Sequence, residues 1–460
     1  MTEEKGGFPY FKQVGIGALG GLLTLTLIIL GLSFAAPSTP KATNTPEPSS
    51  SASASATPTS TLARDCKVGD AATDPRLAAM QAVVINATTD EVLFDRAAET
   101  PAATASTMKV LTAGAALLSL GPNYRVDTKV YADPTDPSTI IIVGAGDPTL
   151  SRLKPGQQSV YKDAPKLSDL AVQVNAWATA NSVTKINKIV LDSTLFADPK
   201  WESSWERSEQ TQGYMSEVSA LQVDGDRTNP QSETSPRSTT PVANAGKHFK
   251  TALGSIAKTA TLVEGKLPGN STKIATVSSQ PISVWVKHML QVSDNTEAEF
   301  LARLVAIKGG LSASFSSIDL AIKKALLPTK IDTTGVVIKD GSGLSDNNRV
   351  APVVMAKFMK LVLEGYADFD VIKEGLPIAH ESGSLSSRFG GDNLDAAGHI
   401  FAKTGWIKKG YTLAGIIKAK DGTDLVFAIY ALGDVKPEAK DAIDKLATAF
   451  YRCGDKLSND

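Results

Sequence analysis

Ser106-Thr107-Met108-Lys109 begins a segment in which apolar residues recur at helical spacing, and these four residues decide the fold we expect. The predicted helix runs from about residue 104 and stops at the Gly-Pro pair at 121–122. Ser106 would then lie in the first turn, among free amide groups at the positive end of the helix dipole. Residues at i and i+3 share one helix face, so the amine of Lys109 can reach the hydroxyl of Ser106. The pattern predicts a serine nucleophile with a lysine base, although so short a motif also occurs by chance on surface helices.

A second pattern, Ser293-Asp294-Asn295, lies where one predicted helix ends and another begins. The Ser293 hydroxyl could pass a proton from the nucleophile to the leaving group, and the Asn295 amide could hold a substrate carbonyl. The same residue types are also favoured helix caps. Capping and catalysis are compatible, so both interpretations remain open.

A third pattern, Lys403-Thr404-Gly405, falls within the predicted strand region close to the C-terminus. Lys403 and Thr404 could bind a substrate carboxylate, and Gly405 would let the substrate lie against the strand. The alternative is an exposed strand edge protected by a lysine. A lysine acts as a base only when uncharged, and we expect the charge of Lys403 to lower the pKa of Lys109.

The three patterns together supply the groups needed for acyl transfer without histidine. The chain has four histidines, and they are scattered without the spacing of a metal site. It also lacks the Gly-x-Ser-x-Gly motif of other serine hydrolases and the glycine-rich loops that bind phosphate. We therefore expect neither a metal ion nor a cofactor.

In order and context the three patterns resemble those of the penicillin-binding proteins and serine β-lactamases. Flanking segments narrow the resemblance to the D-alanyl-D-alanine carboxypeptidase/endopeptidase family, the class-C low-molecular-mass penicillin-binding proteins. These segments cover nearly all of the chain between Cys66 and Cys453. They are Gly-Ala-Gly-Asp-Pro-Thr-Leu at 144–150, Val-Leu-Asp-Ser-Thr-Leu-Phe at 190–196, Asp-Gly-Ser-Gly-Leu-Ser at 340–345, Leu-Pro at 376–377 and Gly-Ser-Leu at 383–385.

The resemblance implies an α/β (α+β) fold. It would be a serine β-lactamase/transpeptidase-like sandwich of an antiparallel sheet with helices, interrupted by a strand-rich inserted domain. It also implies a serine-type D-alanyl-D-alanine carboxypeptidase that acts on peptidoglycan stem peptides and binds β-lactam antibiotics. A DD-endopeptidase would use the same residues.

The resemblance assigns roles to particular residues of this chain. Ser106 would be acylated with Lys109 as its base, while Ser293 and Asn295 would form the second wall of the cleft. The terminal carboxylate of the substrate would bind to Lys403 and Thr404 beside Gly405. The backbone amides of Ser106 and Trp406 would form the oxyanion hole.

Two positions depart from the family pattern. Ser384 stands where threonine is frequent, which is a mild change. Asp346 stands where a basic residue is common, so recognition of the substrate's side chain is expected to differ.

A serine β-lactamase is the closest alternative, because it uses the same acylation groups. The class A enzymes need a downstream Glu-x-x-Leu-Asn run to position water, and none follows Asn295. A β-lactam-acylated sensor would also keep the three patterns, but the segment before Val14 is too short to fold as a signalling domain. A wall-binding protein without activity is the third alternative.

The chain divides into four predicted parts. Residues 1–36 form a cytoplasmic tip followed by a transmembrane anchor or signal segment, and residues 37–65 form a disordered linker rich in Pro, Ser and Thr. The catalytic domain is discontinuous, at 66–126 and 272–460. The inserted domain occupies 127–271, because the interval between Ser106 and Ser293 is long for two groups that share a cleft.

The N-terminal segment at 14–36 is uncharged and follows Lys5 and Lys12. Its length favours an anchor in the cytoplasmic membrane, although Ser-Phe-Ala at 33–35 leaves a cleaved, secreted form open. Either form exports the rest of the chain. The formal net charge of -1 and the pI of about 6.5 do not suggest a nucleic-acid surface.

The chain has two cysteines, Cys66 and Cys453, near the two ends of the exported part. Export favours oxidation, and an even count favours pairing. We predict a Cys66–Cys453 disulfide; the alternative is two unrelated thiols.

Two apolar runs on either side of a turn at 86–90 predict a hairpin formed by residues 82–85 and 92–94. Near the C-terminus we predict antiparallel strands at 398–403, 411–419 and 425–431, followed by a last helix at 436–451. These elements predict an α/β sandwich that the two ends of the chain close together.

Overall fold

The computed structural model describes residues 63–460. Its α-helices are α1 Gly69–Ala72, α2 Met108–Leu120, α3 Leu167–Ala180, α4 Ser208–Thr211, α5 Pro241–Leu253, α6 Ile282–Val292, α7 Asn295–Lys308, α8 Phe315–Leu326, α9 Pro352–Leu363, α10 Asp370–Gly375 and α11 Ala439–Cys453. Its strands are β1 Ala79–Asn86, β2 Val92–Arg96, β3 Asp127–Ala132, β4 Thr139–Val143, β5 Lys188–Asp192, β6 Thr261–Glu264, β7 Thr272–Ser278, β8 Ile400–Ile407, β9 Gly410–Lys418 and β10 Asp424–Leu432.

The first sheet joins the two ends of the described chain. Its five strands follow the order β2-β1-β10-β9-β8, and every neighbouring pair is antiparallel. β1 lies against β10, with Ala79 opposite Leu432 and Asn86 opposite Leu425. The predicted hairpin, the three C-terminal strands and the closure of the sheet by the chain's own ends are confirmed.

Both faces of this sheet are covered, which makes the fold a sandwich. Successive side chains of a strand point to opposite faces. Val83 and Ile85 accordingly join one core with α2, α6, α7, α8 and α9, whereas Ala82 and Val84 join a second core with α11. Burial on both sides explains why β1 and β10 are almost continuously apolar. The predicted α+β fold class is therefore confirmed.

A second sheet accounts for the strand-rich region between Ser106 and Ser293. Its order is β6-β5-β4-β3-β7, with parallel pairs among β4, β5 and β6 and antiparallel pairs on either side of β3. Helices α3 and α5 share its apolar core. Because β7 pairs with β3 along its length, this sheet extends past residue 271, where the predicted inserted domain ends.

Helix α2 is the central element of the first core, and every residue from Met108 to Leu117 is buried. The α-helix begins at Met108, after a 3₁₀ turn at Ala105–Thr107, rather than near residue 104 as predicted. The reason is the backbone of Ala105, whose φ of 45° lies outside the helical region. Ser106 consequently lies in the 3₁₀ turn that leads into the helix.

Cys66 and Cys453 form the predicted disulfide bond, with their Cα atoms 5.5 Å apart. Cys453 is the last residue of α11, so the bond fastens the N-terminal segment of the described chain to the last helix. The backbone amide of Cys66 also donates a hydrogen bond to the carbonyl of Lys456 at 3.0 Å.

The predicted membrane-spanning segment at 14–36 lies outside the described residues, as does the predicted linker up to residue 62. Within residues 63–460, no helix combines the length and the apolar character required to span a bilayer.

Candidate active site

The backbone around Ser106 is held between two other segments, and glycines make this close approach possible. A Cβ atom on Gly343 would collide with the carbonyl of Ala105, and one on Gly405 would lie 2.9 Å from the backbone nitrogen of Ser106. The positive φ of Ala105 is a strained conformation for a residue with a side chain, and such strain is found at functional sites. Ser106 itself is half-buried and lines an open cleft of about 840 Å³.

Lys109 is fully buried beneath Ser106, one helical turn further along. Its Nζ atom lies 2.8 Å from Ser106 Oγ, 2.6 Å from Asn295 Oδ1 and 2.8 Å from the carbonyl oxygen of Ser342. The amide and carbonyl oxygens can only accept hydrogen bonds, whereas a hydroxyl can also donate one. A neutral amine has two N–H groups for these two oxygens and one lone pair directed at the Ser106 proton. The contacts therefore suit a lysine that acts as a base.

Burial is the main reason that Lys109 can lose its proton. It lowers the pKa of Lys109 to about 8, against the charges of Asp340, Asp294 and Glu299, which raise it. The sequence attributed this effect to the charge of Lys403. Desolvation of the fully buried amine is instead its largest cause.

The carbonyl that holds Lys109 belongs to a turn organised by Asp340. This fully buried carboxylate accepts hydrogen bonds from the backbone amides of Gly343 at 2.8 Å and Ser345 at 2.6 Å, and from Trp205 Nε1 at 2.7 Å. The segment at 340–345 supported the family resemblance, but the sequence assigned it no role. Its contribution here is a backbone oxygen, for which the sequence carries no signal.

Glu299 supports the same turn from α7. Its Oε1 atom accepts a hydrogen bond from the backbone amide of Ser342 at 2.8 Å. Burial, and then the charge of Asp340, raise the pKa of Glu299 to about 8. Glu299 was not predicted as a site residue, because a buried acid within a helix resembles any other helical glutamate in sequence.

Ser293, Asp294 and Asn295 connect α6 to α7, and two of them line the cleft. Ser293 ends α6 with a left-handed φ of 64°, and Asp294 caps α7 by accepting the amide of Glu297 at 3.0 Å. Asn295 joins Lys109 through Oδ1 and donates from Nδ2 to the carbonyl of Tyr214 at 3.1 Å. The capping interpretation is confirmed for Asp294. Ser293 and Asn295 line the cleft, as the catalytic interpretation requires. The sequence predicted that the Asn295 amide binds a substrate carbonyl. In the structure, both its oxygen and its nitrogen are hydrogen-bonded within the protein.

Lys403, Thr404 and Gly405 lie within β8, which runs beside the Ser106 turn. Thr404 and Gly405 line the cleft together with Trp406, and Thr404 Oγ1 lies 2.7 Å from Ser384 Oγ.

Lys403 is fully buried and does not line the cleft, in contrast to the exposed strand edge considered above. Its Nζ atom donates to the carbonyl oxygen of Thr404 at 2.8 Å. Burial, and then the charge of Lys109, hold its pKa well below the ordinary value.

Charged side chains of both signs line the cleft. Asp346, the departure noted in the sequence, is one of its acids. The full set of charged residues that line the cleft is Glu206, Glu209, Asp346, Arg388, Lys408, Lys409 and Lys440.

Known proteins resemble this chain over most of its length. The profile of the D-Ala-D-Ala carboxypeptidase 3 (S13) family matches residues 65–237 and 227–450. A carboxypeptidase of Mycobacterium tuberculosis is 32% identical over 395 residues, which cover 83% of this chain and 82% of the relative. The carboxypeptidase DacB of Mycolicibacterium smegmatis is 33% identical over 388 residues, covering 84% of this chain and 83% of the relative.

The fold has a counterpart among solved structures. The crystal structure of penicillin-binding protein 4 from Haemophilus influenzae superposes with a TM-score of 0.68 at 21% identity, covering 81% of this chain and 95% of that one. The extent of these matches confirms the resemblance drawn from the sequence motifs. The chain belongs to the D-Ala-D-Ala carboxypeptidase 3 (S13) family.

Proposed function

We propose that the protein is a serine-type D-alanyl-D-alanine carboxypeptidase that cleaves peptidoglycan stem peptides through an acyl-enzyme on Ser106. The observation that carries the proposal is the 2.8 Å contact between Ser106 Oγ and Lys109 Nζ, together with the two acceptor oxygens on the same amine. Relatives in the family bear the name carboxypeptidase. The Haemophilus influenzae penicillin-binding protein 4, which shares this fold, has been solved in complex with a β-lactam.

In the first half of the proposed reaction, Lys109 takes the proton of Ser106 as Oγ attacks the carbonyl of the penultimate D-alanine. The backbone amides of Ser106 and Trp406 would stabilise the oxyanion. The C–N bond then breaks, and the terminal D-alanine leaves after its nitrogen receives a proton by way of Ser293. Water attacks the resulting ester and restores Ser106.

Recognition of the terminal carboxylate is assigned to the β8 side of the cleft. Thr404 presents its hydroxyl there, hydrogen-bonded to Ser384, and Lys403 lies buried next to it. An arriving carboxylate would favour the charged form of Lys403, because an opposite charge nearby raises the pKa of a lysine.

Release of D-alanine from a wall pentapeptide, and labelling by fluorescent penicillin, test the assignment. We expect Ser106→Ala to abolish both, with Ser387→Ala as the control, because Ser387 lines the same cleft without an assigned role. Equal labelling of wild type and Ser106→Ala would overturn the assignment. Incubation with a cross-linked dimer, followed by mass measurement of the products, tests for DD-endopeptidase activity.

We also propose that residues 14–36 anchor the protein to the cytoplasmic membrane with the catalytic residues outside. The uncharged sequence behind Lys5 and Lys12 supports this, and a disulfide bond fits an oxidising compartment. We expect the full chain to sediment with membranes and to resist a high-salt wash, whereas a chain that starts at residue 37 is released. Recovery of the full-length gene product from the medium would contradict the anchor.

A further inference from the structure

A buried ion pair connects the cleft to the region of the second sheet. Asp294, between Ser293 and Asn295, accepts hydrogen bonds through Oδ2 from Arg227 Nη2 at 2.7 Å and from the Tyr161 hydroxyl at 3.0 Å. The side chains of Arg227 and Asp294 are each only 2% exposed. Arg227 and Tyr161 both belong to the region predicted as the inserted domain. The Asp294 side chain, in the middle of the Ser-Asp-Asn motif, is thus bound by two residues of the second-sheet region.

The arginine of this pair has little freedom to move. Arg227 Nη1 donates to the Tyr161 hydroxyl at 2.6 Å, and the guanidinium lies 4.8 Å from the centre of the tyrosine ring. The backbone of Arg227 forms an antiparallel bridge with Arg237. A planar guanidinium fixed on two sides defines the position of its carboxylate partner more closely than an ammonium would.

Asp294 passes this constraint to both of its neighbours along the chain. Ser293 has a left-handed φ of 64°, a conformation that side-chain-bearing residues keep only where surrounding contacts impose it. Asn295 must place Oδ1 2.6 Å from Lys109 Nζ. One oxygen of the Asp294 carboxylate accepts a hydrogen bond from Arg227, and the other accepts one from the backbone amide of Glu297 in α7. The backbone on either side of Asp294, which carries Ser293 and Asn295, is therefore held in place.

The same cluster has the composition of a metal site, but its ligand atoms are already paired. His288, Asp294 and Glu297 present one atom each within 4.8 Å of one another. The Arg227 guanidinium forms an ion pair with the Asp294 carboxylate, and His288 Nδ1 lies 2.7 Å from Glu297 Oε2. A guanidinium at the centre repels a further cation, so the cluster is an ion-pair network.

We infer that Arg227, together with Tyr161, is a positioning residue that holds Ser293 and Asn295 in the reactive arrangement through Asp294. The inference rests on the roles proposed above for Ser293 and Asn295. It gives the second-sheet region a part in the reaction, because that region supplies the buried cation for a motif of the catalytic cleft.

A double-mutant cycle of Arg227→Met and Asp294→Asn tests the inference, since Asn still caps α7 but loses the charge. The measured quantity is the maximal rate constant for acylation by fluorescent penicillin, at about pH 9, above the wild-type Lys109 pKa of about 8. We expect Arg227→Met to lower it by about tenfold or more, and the double variant to fall no further than Arg227→Met, because the two residues act as a unit. Arg227→Lys keeps the buried charge, so it should recover part of the rate, and it replaces Arg227→Met if that variant does not fold.

Arg452→Met is the control, because Arg452 forms another arginine–aspartate pair, with Asp395 at 2.7 Å. Neither residue lines the cleft or contacts Arg227 among the described residues. We expect this variant to keep the acylation rate constant within about twofold of wild type.

Wild-type acylation by Arg227→Met, or an equal loss of rate in Arg452→Met, would show that the pair has only a structural role and would overturn the inference. Peptide mapping of the labelled serine separates this failure from failure of the proposed function. If the label is on Ser106 in every variant, the nucleophile assignment stands whatever the rates are. If the label is on another residue, that assignment is wrong.

Discussion

Lys109 and Lys403 are both fully buried near the same cleft, yet their surroundings differ. Lys109 Nζ contacts two acceptor oxygens and the Ser106 hydroxyl, and three carboxylates oppose the effect of burial on its pKa. Lys403 Nζ has one hydrogen-bond partner among the described residues, the carbonyl of the adjacent Thr404, and no carboxylate raises its pKa. The comparison indicates that Lys109 is arranged to exchange a proton, whereas an anion bound near Lys403 would raise the pKa of that lysine and favour its charged form.

The largest effect should come from changing the base. We expect both Lys109→Met and Lys109→Arg to lower the acylation rate constant by about 10²- to 10⁴-fold, the usual contribution of a general base. Arginine keeps a cation but cannot lose its proton, so it separates the base role from a merely electrostatic one. Rapid labelling with fluorescent penicillin measures the rate. Near-normal acylation of Lys109→Arg would show that Lys109 acts only as a charge.

A smaller effect, confined to substrates with a free carboxylate, should follow from changing the second lysine. We expect Lys403→Met to lower kcat/KM for a pentapeptide by about 10- to 100-fold, the value of one charged hydrogen bond. The same peptide with a C-terminal amide should be cleaved equally by wild type and variant. Lys409→Met is the control, because Lys409 lines the cleft on the turn after β8. Loss of the carboxylate preference in that control would refute the assignment.

The smallest effect is a shift in pH dependence. Lys109 must be neutral to accept a proton, so kcat/KM should rise with pH and level off above the Lys109 pKa of about 8. Glu299→Gln keeps an oxygen for the Ser342 amide but removes a charge that raises this pKa. We expect the midpoint to move to lower pH by less than about one unit, because Glu299 is itself largely protonated below its own pKa of about 8. A shift to higher pH would contradict this arrangement, and Lys409→Met should show none.

The elements of the first sheet could be predicted because each rests on a local signal. Runs of apolar residues marked β1, β9 and β10, and the spacing of Ser106 and Lys109 placed both on one helical turn. β8 was predicted to end at residue 403 but runs to residue 407. The prediction stopped early because Gly405 interrupts the apolar pattern. In the structure the same glycine lets β8 approach the backbone of Ser106.

The rest of the site depends on contacts that no local pattern encodes. Lys109 is held by a carbonyl 233 positions away, at Ser342, and every residue has such an oxygen. Arg227 and Asp294 are 67 positions apart, and neither differs in sequence from an ordinary surface charge. The burial of Lys403 follows from the packing of β8 against the Ser106 turn, which motif spacing does not reveal.

The pairing of β1 with β10 also has a consequence for how the protein reaches its native state. β1 is complete early in synthesis, but its partner β10 begins at Asp424, almost at the end of the chain. The apolar edge of the N-terminal hairpin must therefore wait, unpaired, until nearly the whole polypeptide is available, and long-range pairing of this kind is slow and prone to aggregation. Until β10 is synthesised, that edge is the part of the hairpin most exposed to pairing with another chain.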